Sequence, residues 1–383
     1  MGVWDGLKSL GILNYENQMT KIEFSPNQIN EHFINIASMY NKSFTTSLPE
    51  KIAEITTSSE RFTLQNITPD EVMKIWRTMK KRTKTHPDPT GISNKMISLI
   101  LPNPNVAEAI TQLINESFEL SHVPKLLKTS RVVPVPKSKQ VQSLSDVRPI
   151  TVSPVIAKIK EKAAYIQLNE HVTYHNLLWP LQFGFRKGYS TVHAHITVTD
   201  YMYKCISENK ICVLLAIDMC KAFDMLKSDI VIHKLPWYNI DDEWLTSYLK
   251  HRHQYVRIAN NDSDIMEIKQ GSPQGSCLSS LIFLLMINDL PFCIHNGKLV
   301  IFADDSNLLN TGDPDKIPEL TQKIEKDLQD IIEWTNRNHM AINLKKTQMI
   351  IIAKPEIRRN LQNLNIQCGD IKISAVKSMN FLD

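Results

Sequence analysis

Asp304 and Asp305 stand side by side at the end of an apolar, β-rich run, Leu299-Val300-Ile301-Phe302-Ala303, and a second apolar stretch resumes at Leu308-Leu309. That pattern predicts a hairpin whose tight turn carries both acids. Two like charges beside an apolar strand are costly unless a cation neutralises them. The pair therefore reads as a divalent-metal site or as a solvated hairpin turn. The chain contains its own control, because Asp241-Asp242 is followed by Glu243-Trp244-Leu245 and reads as a solvated helix N-terminus. A third acid, Asp218, closes the continuous apolar run Ile211–Ile217, the pattern of a strand covered on both faces. Acids at the ends of two neighbouring strands can cage hard cations. Mg²⁺ favours one or two carboxylates completed by water and substrate phosphate. Two such ions about 3.5–4 Å apart activate an attacking hydroxyl and stabilise a leaving oxygen in phosphoryl transfer. Taken alone, Asp218 reads equally as a strand-end acid that caps the next helix.

Several elements must position these acids. Thr68-Pro69-Asp70-Glu71 is a helix start with an N-cap, Pro at the first position and Glu three residues on, and Val72, Ile75, Trp76 and Met79 follow on one face. Asn105–Leu120 is a second amphipathic helix, and Pro26–Tyr40 a helical stretch within a polar N-terminal region. Arg131–Lys137 and Val147–Val152 flank a polar loop and predict another hairpin. An apolar helix, Leu278–Ile287, follows a Gly-Ser-Pro-Gln-Gly turn. The basic run Lys80–Lys84 reads as a solvated helix end, with an RNA grip or a nuclear signal as the sharper alternatives.

Composition narrows the class without deciding it. A chain of 383 residues buries a large core and has room for more than one lobe. A net charge of +4 permits nucleic-acid binding without demanding it. The six cysteines form no CxxC pair, which argues against a zinc ribbon or a disulfide framework and for free thiols in a reducing compartment. The apolar run Leu281–Ile287 is far short of the roughly 20 residues a membrane helix needs. No secretory signal is read at the N-terminus.

Taken in order, several segments resemble the reverse transcriptase domain of non-LTR (LINE-type) retrotransposons. Asp146-Val147-Arg148-Pro149-Ile150 is similar to its "RPI" segment, and Gln182 to Thr191 to its "QxGFRxGxST" block. Asp218 to Asp224 is similar to "DxxKAFD", and Gly271 to Ser279 to "GxPQGxxLS". Asn288-Asp289-Leu290, then Phe302 to Asp305, then Asn343-Leu344-Lys345-Lys346-Thr347 follow at that family's spacing. The resemblance covers roughly residues 60 to 383.

The resemblance implies an α+β right-hand polymerase with fingers and palm around a central antiparallel sheet. Residues 1–60 would be an N-terminal connecting region, 61–200 the fingers-rich part, and 201–383 the palm with the start of a primer grip. Asp218, Asp304 and Asp305 would be catalytic and bind Mg²⁺, or Mn²⁺ in its place. Lys137 and Arg148 would lie over the triphosphate of the incoming nucleotide, a point charge and a bidentate fork. Phe223 would exclude a ribose 2′-hydroxyl, or else be a core Phe packing its turn, and Gln274 would hydrogen-bond the sugar. Lys346 would protonate leaving pyrophosphate, and Arg186 would touch template phosphate. Partners would be an RNA template, a DNA primer and dNTPs, with no membrane and no evident protein partner. The location would be intracellular, nucleus and cytoplasm both open. The sequence departs from the pattern at Ser280, at Leu127 and at Asp383, and a thumb is expected to be missing. The rival reading is a truncated, inactive, retroelement-derived nucleic-acid-binding protein.

Overall fold

The computed structural model describes residues 23–43, 48–52, 58–79, 87–137, 141–272, 275–359, 361 and 364–379. Helix α1 (Pro26–Asn35) runs into a 3-10 turn (Ala37–Ser43), and α2 (Pro69–Thr78), α3 (Asn94–Ile100) and α4 (Pro104–Glu119) follow. The hairpin β1 (Thr129–Pro136) and β2 (Val147–Val152) precedes α5 (Val155–Tyr174) and α6 (Thr191–Ser207). After β3 (Ile211–Ile217) come α7 (Ser228–Lys234), α8 (Glu243–Leu249), and strands β4 (Arg252–Ile258), β5 (Asn261–Asp262) and β6 (Met266–Ile268). Helix α9 (Cys277–Ile287) leads to the hairpin β7 (Lys298–Phe302) and β8 (Asp305–Gly312). Helix α10 (Ile317–Arg337), β9 (Gln348–Ile352) and the small hairpin β10 (Asn365–Cys368) and β11 (Ile371–Ser374) complete the described chain. The fold is mixed, helices with sheets, as the sequence predicts.

The caps are where local chemistry puts them. The Thr68 hydroxyl accepts from the Glu71 amide while the Glu71 carboxylate accepts from the Thr68 amide, so two otherwise orphaned donors are satisfied at the start of α2. Asp241-Asp242 opens α8, with Asp241 accepting from the Glu243 amide and pairing with exposed Arg61, as its reading as a helix start predicts.

Strand β3 is the centre of a four-stranded antiparallel sheet in the order β7-β8-β3-β9. Its alternate residues feed two cores. Cys212 and Leu214, with Val300 and Leu309, pack under Ala194 and Val198 of α6. Ile211, Val213, Leu215 and Ile217 join the main core that includes α9 and α10. Residues 211–215 are all 0 % exposed, which is why the run reads as unbroken apolar rather than alternating. Burying each such side chain is worth about 1.5–3 kcal/mol. In the second sheet β1 pairs antiparallel with β2 and parallel with β4, with β5 and β6 antiparallel to β4. The parallel β1–β4 pairing joins segments over a hundred residues apart and leaves no local signature in the sequence. No described helix is long and apolar enough to cross a membrane.

Buried charges brace the first sheet. Lys234, at the end of α7, donates to Asp289 at 2.6 Å and to the Met286 carbonyl at 2.9 Å, and it faces the rings of Trp237 and Trp334. Asp327 of α10 accepts from the backbone amides of His295 and Asn296 and from the side-chain amides of Asn296 and Asn310. A buried pair stripped of one member leaves an uncompensated charge. Lys234→Met or Asp289→Leu alone is therefore expected to cost about 3–5 kcal/mol. The double variant should regain at least half of that. Urea-unfolding midpoints test this; single variants as stable as wild type would show that the pair carries no such weight.

Candidate active site

The β3–β8 register pairs Ile217 with Ser306, so the next residues outward, Asp218 and Asp305, end up beside each other at the sheet's edge. Asp304 sits in the β7–β8 turn, which carries one acid where the sequence pattern implies both: Phe302 pairs directly with Asp305, so only Ala303 and Asp304 form the loop. Asp305 is therefore the first residue of β8. Ala303 takes a left-handed φ of 58°, as tight hairpins require. Alanine pays for that conformation, and its neighbours hold it there.

Those neighbours are Gln182 and Gly184. The Gln182 side-chain oxygen accepts from the amides of both Ala303 and Gly184, and its NH₂ donates to the Ala303 carbonyl. Phe183 donates its amide to the Ile301 carbonyl and Ile301 donates back to Leu181, so the segment runs along β7 like an added strand. A Cβ on Gly184 would lie 2.1 Å from the Ala303 nitrogen. Glycine is required there by contact rather than by its dihedral freedom. The Gln-x-Gly spacing thus clamps the turn that carries Asp304. Asn288 anchors the stretch just upstream, accepting from the Trp179 amide and donating to the Leu177 carbonyl.

Burial holds the Asp304 carboxyl above the usual carboxylate range, and the facing charge of Asp218 pushes it further in the same direction, against one backbone hydrogen bond. A buried carboxyl with a second acid facing it forms a ready site for a cation. Among the described residues no group of three or more His, Cys, Asp or Glu side chains is arranged around one metal position. The carboxylate pair suits Mg²⁺, which takes one or two protein carboxylates and completes its shell with water and substrate oxygens.

Beside the acids opens a cleft of about 440 Å³, lined by Lys137, Arg148, Lys221, Phe223, Asp224 and Asp304, with residues of α1 and its 3-10 turn on the far side. Lys137 and Arg148 are exposed. The Lys137 ammonium lies below its ordinary range through partial burial and then through the nearby charges of Lys221 and Arg148, with Asp146 pulling weakly the other way. Cations crowded so closely make an anion site. Lys221 was not singled out by its sequence position. Its signal was there, three residues after Asp218 in the same turn, and its backbone is left-handed with φ 45°.

Phe223 stacks on Phe283 at 4.5 Å between ring centroids and meets Phe185 edge-on at 5.8 Å. The ring is half-buried on the cleft wall, so the packing role and the cleft-facing role coexist. The Ser272 amide donates to the Phe223 carbonyl and the Gly271 amide to that of Leu226, tying the glycine turn to the same segment. Gln274 lies outside the described residues, as do the basic run Lys80–Lys84 and the terminal Phe381-Leu382-Asp383. Arg186 spends its guanidinium on the carbonyls of Trp179 and Gln182 and lies over the Tyr189 ring, so it fastens the Gln182 turn. Lys346 is exposed; burial and then Asp218 hold the nearby Cys220 thiol above its ordinary range, with Lys346 pulling the other way. The Asn343 amide donates to the Asp218 carbonyl, which brings the Lys346 segment against the acids.

Crowding at Ala303 makes a direct prediction. Gly184→Ala is expected to destabilise by about 1–3 kcal/mol, as is Gln182→Leu through the loss of its three hydrogen bonds. Thermal melts check both, and an unchanged melt for Gly184→Ala would mean that Ala303 yields without cost.

Residues 135–382 match the family model described as reverse transcriptase (RNA-dependent DNA polymerase). The chain is 28% identical over 249 residues to a probable RNA-directed DNA polymerase from transposon BS of Drosophila melanogaster, covering 61% of this chain and 27% of that protein. It is 22% identical over 300 residues to the RNA-directed DNA polymerase from mobile element jockey of the same fly, covering 76% and 32%. It is 22% identical over 247 residues to a retrovirus-related Pol polyprotein from type-1 retrotransposable element R2 of Popillia japonica, covering 61% and 33%. It spans about a third or less of the length of these curated relatives. The match takes in the whole of β3, the β7–β8 turn and the Gln182 clamp, and on that extent the chain belongs to the reverse transcriptase (RNA-dependent DNA polymerase) family.

Proposed function

We propose that this chain is the nucleotide-adding core of an RNA-directed DNA polymerase from a non-LTR retrotransposon. The β7-β8-β3-β9 sheet would be its palm and the β1–β2–β4 sheet its fingers. The observation that carries the reading is the junction of opposite charges. The Asp304 carboxyl, raised by burial and by the facing charge of Asp218, opens onto a cleft lined by Lys137, Arg148 and Lys221. A deoxynucleoside triphosphate needs both: cations for its phosphates, and acids to hold the divalent ions that accompany it.

Asp218 and Asp304 would hold Mg²⁺, with Asp305 supporting the site. The metal supplies activation of the primer 3′-hydroxyl and neutralises charge on the leaving phosphates. Arg148 and the two lysines orient the triphosphate, the fork fixing direction and the ammoniums adding charge. Phe223, braced by Phe283 and Phe185, places a rigid ring where a sugar 2′-hydroxyl would intrude. Gln274, one residue beyond the Ser272–Pro273 link, would bond the sugar. Lys346 would supply a proton to the pyrophosphate oxygen as the P–O bond breaks. Arg186 would contact template phosphate through donors not already spent on carbonyls. RNA template, DNA primer and dNTPs are the partners this chemistry requires.

Two outcomes test the reading. Primer extension on an RNA template with dNTPs and Mg²⁺ should proceed with the wild type and fall at least about a hundredfold in Asp304→Asn. A carboxyl whose folded pKa lies above its unfolded one costs stability at any pH above both values, and that cost disappears as pH falls through the folded value. Asp304→Asn removes the charge, so its melting temperature near neutrality should equal or exceed the wild type's. Retained extension, or a melt several degrees lower, would assign Asp304 a structural role. Extension by neither protein would leave a nucleic-acid-binding relic.

The ring at Phe223 makes a separate prediction. Phe223→Ala should reduce discrimination against ribonucleotides by about tenfold or more, read from kcat/KM for matched dNTP and rNTP pairs. Unchanged discrimination would leave Phe223 a packing residue.

A further inference from the structure

Helix α1 lies outside the 135–382 segment that matches the family, yet it forms a wall of the cleft. Its start is fixed by a capping box, with the Ser25 hydroxyl on the Gln28 amide and the Gln28 side chain on the Ser25 amide. Its inner side is fastened to the second sheet. Ile29, 0 % exposed, packs with Val132 of β1 and Val256 of β4. Asn30, also 0 % exposed, donates to the Ser263 hydroxyl and the Asp264 carbonyl and accepts from Gln254. Asn27 exchanges two further hydrogen bonds with Asp264. Each partner lies more than two hundred residues away along the chain. The helix is a built-in part of this sheet.

So anchored, α1 and its 3-10 turn bring His32, Ile36, Met39 and Tyr40 over the cleft. The charged and titratable groups facing His32 there are Lys137, Arg148 and Lys221 and the acids Asp224 and Asp304, with Tyr40 on its own segment. Asp264, on the anchoring side, is engaged by Asn27. We propose that His32 is a phosphate-binding residue of the nucleotide site, its imidazole N–H donating to the triphosphate that Lys137, Arg148 and Lys221 hold from the opposite wall. Burial and then the charges of Lys221 and Lys137 hold His32 toward its neutral form. A neutral imidazole among cations still offers one N–H, and an entering polyanion offsets the repulsion that keeps it neutral. Ile36 and Met39 supply the apolar part of this wall, and His32 and Tyr40 its polar groups.

The proposal rests on the polymerase reading for its substrate, and the experiment separates the two. The 383-residue chain, His32→Leu and His32→Gln would be compared in two assays after equal melts are verified. One is primer extension with dTTP; the other is equilibrium binding of inorganic triphosphate by calorimetry without primer. His32→Leu is expected to raise KM for dTTP and weaken triphosphate binding by about tenfold, the scale of one charge-assisted hydrogen bond, with kcat within twofold. His32→Gln keeps an N–H donor and should recover most of both. Unchanged KM and triphosphate affinity in His32→Leu, or a loss that His32→Gln does not recover, would overturn the proposal. His32-dependent triphosphate binding without extension would sustain the phosphate site and overturn the polymerase reading. Absence of both binding and extension in the wild type would overturn both.

Discussion

Two like-charged carboxylates stay together only on a scaffold that cannot move them apart, and here that scaffold is β3 in register with β8. The register Ile217–Ser306 decides that Asp218 reaches the β7–β8 turn, and a slip of one residue would turn every side chain of β3 to the opposite face. Such a slip is blocked on both sides, because alternate residues of β3 fill separate cores, one under α6 and one shared with α9 and α10. The unbroken apolar run that announces the strand is thus also what makes its endpoint rigid. Electrostatic cost at the tip is carried by burial along the shaft.

A sheet alone does not fix a turn. Ala303 in a left-handed conformation is a small strain next to a larger one, the crowded acids, and neither is offset within the hairpin itself. The compensation comes from the segment at Gln182, whose one side chain makes three hydrogen bonds to the turn and to its own backbone. Arg186 fastens that segment in turn, and Asn288 holds its approach. The buried pair of Lys234 and Asp289 braces the loop in which Asn288 sits. These residues touch no reacting atom. They form a chain of supports from α7 to the turn bearing Asp304, and they explain why blocks far apart in sequence occur together.

What could be read from the residues follows from how local each signal is. The caps of α2, the hairpin at Asp304 and the doubly covered β3 depend on neighbours within a few positions, and all were legible. So was the proximity of Asp218 to Asp304, as one of two open readings, and the β3–β8 register is what brings the two acids together. The turn is tighter than its polar stretch, because Asp305, Ser306 and Asn307 pair in the strand while keeping turn-like residue types. The functions of Gln182, Gly184 and the Asn288-Asp289 pair were invisible, since a hydrogen bond to Ala303 or a contact with Lys234 joins positions that nothing local relates. The parallel β1–β4 pairing was hidden for the same reason. Lys221 has a weak signal, because a lysine in a turn is ordinarily a solvated one.

The N-terminal helix shows the same limit from the other direction. Its sequence is polar, and that polarity lets Asn27 and Asn30 add hydrogen bonds to Gln254, Ser263 and Asp264 to the apolar contacts of Ile29. A buried amide with every group satisfied specifies position more sharply than a leucine, because displacement by an ångström breaks bonds rather than merely loosening contacts. That precision matters at a cleft wall. The cations at Lys137, Arg148 and Lys221 belong to a hairpin and to a turn with a left-handed residue, and they repel one another. A wall held by directional bonds to the β4–β6 strands gives the cleft one side whose position does not depend on what fills it.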